Sequence, residues 1–179
     1  MGLTTTMVRK LSFHLSGGEE EKAFALFRRI YALRFILSGS FVIVGWFLSP
    51  VLADHLFHDE TLVTPLRLAA LGGFIYNLWV HAEGALRSIE RFRALAISNA
   101  ATHIVRTGAI LLLAAGALMG VENVLLVNIL QILLGFLIAA LVLPKRFYTA
   151  PAEKKYPVRE IFGYTRWLFL FTVLFMLFD

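Results

Sequence analysis

Hydrophobic positions in this chain fall in long unbroken runs rather than in strict alternation or narrow helical stripes. A membrane span needs about 20 mostly apolar residues. Four runs reach that length: Tyr31 to about Ala53, about Leu62 to Leu86, about Leu95 to Met119, and about Val121 to Leu143, the last stopped by Pro144. A fifth begins near Trp167. Its segment WLFLFTVLFMLF is too short to cross before Asp179 ends the sequence. Ahead of the first run lies SGGEEEKAFALFRRIYALRF. There Ser16 and Glu19 fit a capping box, acidic residues fill the first turn, and Ala23, Phe24, Phe27, Ile30 and Tyr31 recur at helical spacing. This pattern predicts a helix at the cytoplasmic surface running into the membrane, with a polar extension of the first span as the alternative.

The expected fold class is an all-α integral membrane protein with four complete transmembrane helices, an N-terminal interfacial helix and a truncated fifth span. Its expected segments are 1–30 (cytoplasmic or interfacial), 31–143 (four-span bundle), 144–166 (cytoplasmic linker, with Pro151 and Pro157) and 167–179 (start of a further span). The first twenty residues hold no apolar core of the length a cleavable signal needs, so insertion is expected to use the internal spans.

Composition agrees with the membrane. The 179 residues are 59% hydrophobic and 16% charged, where soluble domains carry about 25% charge. The absence of cysteine excludes disulfides and thiolate metal sites. A net charge of +5 alone would suggest nucleic acid, but the placement of the charges does not. Arg9, Lys10, Lys22, Arg28, Arg29 and Arg34 precede or open the first span. Arg87, Arg91 and Arg93 join the second to the third, and Lys145, Arg146, Lys154, Lys155 and Arg159 follow the fourth. The connections DHLFHDE (54–60) and GVEN (120–123) have neither Lys nor Arg. By the positive-inside bias this alternation predicts a multi-pass protein of the cytoplasmic membrane with a cytoplasmic N-terminus and no nucleic-acid partner. Tyr148, Tyr156, Tyr164 and Trp167 suit anchoring at the interface after the fourth span.

Candidate chemistry lies in polar residues within the apolar runs. Asn99, His103 and Arg106 fall on one face of the third span, and Asn128 and Gln131 sit near the middle of the fourth. Asn77, His81 and Glu83 lie toward one end of the second. A guanidinium at the centre of a span is unfavourable by roughly 2.5–3.5 kcal/mol on insertion scales, so Arg106 calls for a compensating group. One reading is a cavity in which Arg106 meets an anionic substrate group by bidentate hydrogen bonds. The other is structural, with Arg106 paired to a carboxylate or carbonyls of a neighbouring helix and the amides bonding between helices. Glu83 can pair with Arg87 at i,i+4. HLFHDE offers His55, His58, Asp59 and Glu60, either for a metal or as a solvated loop. GALMG (Gly116 to Gly120) matches a small-xxx-small helix contact. No P-loop, GxSxG, HExxH or dinucleotide fingerprint occurs, so neither a cofactor nor enzyme activity is expected.

The segment GLTTTMVRKLS, followed by LRLAALGGFIYNLWVHAEGALRSIERFRALAISNAATHIVRTGAILLLAAGALMG, resembles the polysaccharide flippases of the multidrug/oligosaccharidyl-lipid/polysaccharide exporter superfamily, of the O-antigen and teichoic-acid type. The likeness lies in a span ending at a short basic turn with Arg91 and Phe92, then a span with a mid-membrane arginine, Arg106. A glycine-bearing turn, another span, a basic linker and FGYTRWLFLFTVLFMLFD follow. The resemblance covers nearly the whole chain, through its pattern of spans more than through fixed residues. It implies transport of a lipid-linked (polyprenyl pyrophosphate) oligosaccharide between leaflets, with membrane lipids around it and no bond broken. Arg106, His103, Asn99, Gln131 and Asn128 would line the path. Relatives of that kind have more spans, in two bundles, so the chain is expected to be partial and to work with the remainder of a larger transporter. A cation-coupled multidrug exporter of the same superfamily, a non-transporting scaffold in a glycan-synthesis complex, and a membrane enzyme acting on prenyl phosphates are the alternatives.

Overall fold

The computed structural model describes residues 2–149 together with 156, 157 and 163, and every regular element among them is helical. The expected start of a further span at 167–179 lies outside the described residues. The helices are α1 (Gly2–Ser16), α2 (Glu20–Val51), α3 (Val63–Ser88), α4 (Phe92–Ala115), α5 (Val121–Val142) and α6 (Arg146–Thr149). A π-helical turn (Leu52–Leu56), following Pro50 near the end of α2, and a 3₁₀ turn (Glu60–Leu62) join α2 to α3.

Three of these helical stretches are long and apolar enough to cross a membrane: α2 with its π-helical turn (Glu20–Leu56), α4 and α5. The chain is therefore a multi-pass membrane protein. The expectation of four such helices is met only in part. At 26 residues α3 is long enough, but Arg67, Asn77, His81, Glu83 and Arg87 lower its hydropathy. Long, unbroken apolar faces elsewhere match a lipid surround. Phe41 and Phe47 on α2 and Leu141 on α5 are 80%, 75% and 84% exposed, as on helices that face lipid.

Packing follows the small residues. α3 lies at the centre, with α2 on one side, α5 on the other and α4 beyond α5, in a row α2–α3–α5–α4. At Gly45 an added Cβ would lie 3.2 Å from Ala70, and at Gly72 it would lie 3.2 Å from Ile129. At Gly135 it would lie 2.8 Å from the indole of Trp79, so the α3–α5 contact depends on the missing side chain. The aromatic and aliphatic core sits at one end of this row. There Met7, Leu11, Phe24, Leu26, Phe27, Ile30, Leu86 and Phe147 bring α1, α2, α3 and α6 together.

The N-terminal region departs from expectation in two ways. α1 is a full helix packed on α2 and α3, with Thr6, Met7 and Leu11 completely buried. It approaches α3 at Gly84, where a Cβ would meet Met7 Cε at 2.5 Å. No capping box forms at Ser16. That residue ends α1 and its hydroxyl donates to Phe13 O at 3.0 Å, while Glu19 accepts from Lys22 Nζ at 2.5 Å and pairs with His14 Nδ1 at 2.7 Å. Those hydrogen bonds, from Lys22 first and then His14, hold the Glu19 carboxyl below its usual range. α2 is continuous from Glu20, so the residues expected to run into the membrane are the first part of the helix that carries the first apolar run, the polar extension named as the alternative.

Glycine closes α1. Gly18 has φ +74°, with Gly18 N donating to Leu15 O and Glu19 N to His14 O, the paired bonds of a Schellman motif. The same pair of bonds ends α3 at Glu90 (φ 58°) and α4 at Ala117 (φ 52°), both in the left-handed region without glycine. GALMG is consequently a turn and not a helix contact. α4 stops at Ala115, four residues before the expected Met119, because Gly116 is its C-cap and Gly120 the N-cap of α5.

Candidate functional site

A cavity of about 370 Å³ opens between α3, α4 and α5. It is lined by Tyr76, Trp79 and Glu83 from α3, Asn99, His103 and Arg106 from α4, and Asn128, Gln131 and Ile132 from α5. All five residues singled out in the sequence thus reach one space. On α4, Asn99, His103 and Arg106 are spaced four and three apart, which puts them on one stripe. That stripe faces α3 and α5 because α4 packs against α5 and, more lightly, α3. On α5, Asn128 and Gln131 are three apart and project the same way. Gln131 is almost fully buried, and Asn128 Nδ2 donates back to Val124 O at 2.9 Å.

Several polar atoms here are held without protein partners. Arg106 Nε, Asn99 Oδ1 and Trp79 Nε1 are buried and lack a hydrogen bond among the described residues. A buried donor or acceptor without a partner loses about 1–3 kcal/mol. No carboxylate lies within 4 Å of Arg106 among the described residues. The acid that shares its cavity is Glu83, 9% exposed, whose Oε2 accepts from Arg87 Nη2 at 3.4 Å. Arg106 sits nine residues before Ala115 and fourteen after Phe92, about 14 and 21 Å from the helix ends, which is within a hydrocarbon core about 30 Å thick.

Sequence reasoning did not find Tyr76 and Trp79 as lining residues. The signal was present: Tyr76, Trp79 and Glu83 are spaced three and four apart. It also grouped Asn77 and His81 with Glu83. Their 100° steps separate them, and the structure sends Asn77 and His81 to the opposite side of α3. There Arg34 of α2, only 4% exposed, donates through Nη1 to Asn77 Oδ1 at 3.2 Å and to Asn77 O at 3.3 Å, and through Nη2 to Thr4 Oγ1 at 2.5 Å. His81 is fully buried against the rings of Phe27 and Tyr31. Arg34, counted in the sequence among the loop charges, is instead a buried tie between α1, α2 and α3.

At the opposite end of the bundle from the basic linkers, the histidines and acids of residues 54–60 do not converge. His55 Nδ1 lies 3.1 Å from Asp54, and Asp59 Oδ1 accepts from Thr61 N at 2.9 Å and Thr61 Oγ1 at 2.6 Å. Among the described residues no three His, Asp or Glu side chains cluster as metal ligands.

Residues 2–179 match the family described as polysaccharide biosynthesis protein. The chain belongs to that family. The match spans nearly the whole sequence, including the cavity-bearing helices α3 to α5, and agrees with the resemblance to polysaccharide flippases drawn from the spans. No curated protein and no solved structure matches the chain.

Proposed function

We propose that the chain is a membrane transporter component that moves a lipid-linked oligosaccharide across the cytoplasmic membrane. α2, α3, α4 and α5 make four crossings with the N-terminus inside. The observation that carries this is the convergence of Arg106 with four amide or imidazole side chains in one partly open cavity at mid-depth. An arginine without a carboxylate partner attracts the phosphates of a polyprenyl pyrophosphate through charge-assisted bonds. His103 and Gln131, which line the same cavity, supply donors and acceptors for sugar hydroxyls. The polyprenyl tail stays in lipid beside α4, whose outer face is apolar. Nothing is cleaved; the cavity only replaces hydration while the head group passes. Alternating access of this kind needs two bundles moving about a shared site, so these four helices act with a second bundle.

One observation favours a different cargo. Glu83 places a carboxylate in the same cavity, as a cation-coupled multidrug exporter requires. A single experiment addresses both. With substitutions made at the chromosomal locus, membrane abundance and surface glycan are measured together. Arg106→Ala is expected to keep abundance and lower export at least tenfold. Arg106→Lys is expected to recover part of it, since an ammonium keeps the charge but loses the planar fork. Normal export from Arg106→Ala at normal abundance refutes the substrate role. Joint loss of export and abundance, with abundance restored by Glu83→Gln, makes Arg106 structural. Drug sensitivity caused by Glu83→Gln with unchanged surface glycan selects the drug exporter.

A further inference from the structure

Between residues 46 and 86 the chain has a single Lys or Arg, Arg67. It is the fifth residue of α3, near the end away from the basic linkers. Its Nε donates to Ser49 Oγ at 3.1 Å, and its guanidinium carbon lies 4.9 Å from the ring centroid of Trp46. Ser49 is fully buried and in turn donates to Trp46 O at 2.8 Å. One edge and one face of the guanidinium are therefore fixed by α2. Among the described residues no carboxylate lies within 4 Å of it. The remaining edge, Nη1 and Nη2, offers two parallel donors at the spacing of two phosphate oxygens.

The depth suits a lipid head group. Arg67 lies about 6 Å inside the start of α3, counted at 1.5 Å per residue, and Trp46 is level with its guanidinium. Indole rings concentrate at that level of a bilayer. Trp46 is 46% exposed, and its neighbours Phe47 and Ile43 are exposed beside it as a surface for acyl chains. The site is separate from the cavity. Tyr76, which lines the cavity, is nine residues from Arg67, about half a rotation around α3.

We propose that Arg67, positioned by Ser49 and Trp46, binds the phosphodiester of a bilayer phospholipid in the leaflet opposite the basic linkers. The proposal rests on α2 and α3 spanning the membrane and not on export. The test is native mass spectrometry of the purified full chain titrated with phosphatidylglycerol. Wild type is expected to hold one lipid more tightly than the rest. Arg67→Ala is expected to weaken that one by about five- to tenfold, the order for one basic residue at a lipid surface. Ser49→Ala keeps the charge and frees the fork, so its loss is expected to be smaller but measurable. Arg106→Ala is expected to leave the lipid in place. Equal affinity in wild type and Arg67→Ala overturns the site. If Arg67→Ala cannot be purified, Arg67→Gln takes its place, and an unchanged affinity in Ser49→Ala overturns the positioning. Displacement by millimolar inorganic phosphate, or by equimolar polyprenyl phosphate, reassigns the fork to a free anion or to the carrier lipid and likewise overturns the proposal.

Discussion

Gly135→Ala tests the α3–α5 contact on which the cavity depends. The added Cβ would lie 2.8 Å from Trp79 Cε2, 2.9 Å from Nε1 and 3.0 Å from Cζ2. An indole is rigid, so one of the two helices must shift, and forcing a methyl into a packed interior costs about 1–3 kcal/mol. Against this, replacing a helical glycine by alanine stabilises by roughly 1 kcal/mol. Gly73 on α3 provides the reference, because a Cβ there meets nothing within 4 Å. Gly73→Ala carries the propensity gain without the clash, so the difference between the two variants isolates overpacking at about 1–3 kcal/mol. For a chain of this size that is roughly a 2–12 °C gap in unfolding midpoint. The assay is thermal unfolding of each purified variant in one detergent, followed by size exclusion. Trp79→Leu combined with Gly135→Ala should close part of the gap, because the clash disappears with the ring. Equal midpoints for Gly135→Ala and Gly73→Ala would refute the close approach and, with it, the wall that Trp79 gives the cavity.

Thr4→Val keeps the shape of the side chain but removes the oxygen that accepts from Arg34 Nη2, leaving a buried guanidinium under-bonded at a cost of about 1–3 kcal/mol. The expected result is faster proteolysis within α1 in membranes, and an unchanged rate removes Arg34 as the tie. For topology, cysteines at His58 and Asn123 are expected to react with an impermeant reagent in intact cells, and one at Lys154 only after permeabilisation. Labelling of Lys154 in intact cells inverts the assignment.

The apolar runs were legible because crossing helices must be continuous and apolar: a helix lies at each of the four runs, three with starts within a few residues of those expected, and α2, α4 and α5 are apolar enough to cross. The inward face of α4 was legible because a polar stripe spaced four and three apart on an apolar helix turns away from lipid, whether toward a cavity or toward neighbouring helices. α1 was not. MGLTTTMVRKLSFHL lacks the apolar length that marks a span, and its burial comes from α2 and α3, which local pattern does not encode. Its end was nonetheless written in Gly17–Gly18, the usual stop for a helix, which Ser16 and Glu19 obscured by mimicking a start. Arg34 illustrates a further limit. A charge at the edge of an apolar run reads as a topology signal until its partners, 30 and 43 residues away, are known.

That separation also sets an order of events during synthesis. Asn77, which carries two of the hydrogen bonds to Arg34, leaves the ribosome 43 residues after it, about 2–9 s later at 5–20 residues per second. For that interval the guanidinium on α2 has Thr4 of α1 within the synthesised chain but not yet Asn77 of α3. Arg34, fifteen residues into α2, has a side chain long enough to reach the head groups if the helix first rests high in the bilayer. Arrival of α3 then supplies Asn77 for Arg34 and Gly84 for Met7, and only at that point can α1 fold down across both. Arg34 therefore gains its full set of hydrogen-bond partners only once α3 has followed α2 out of the ribosome.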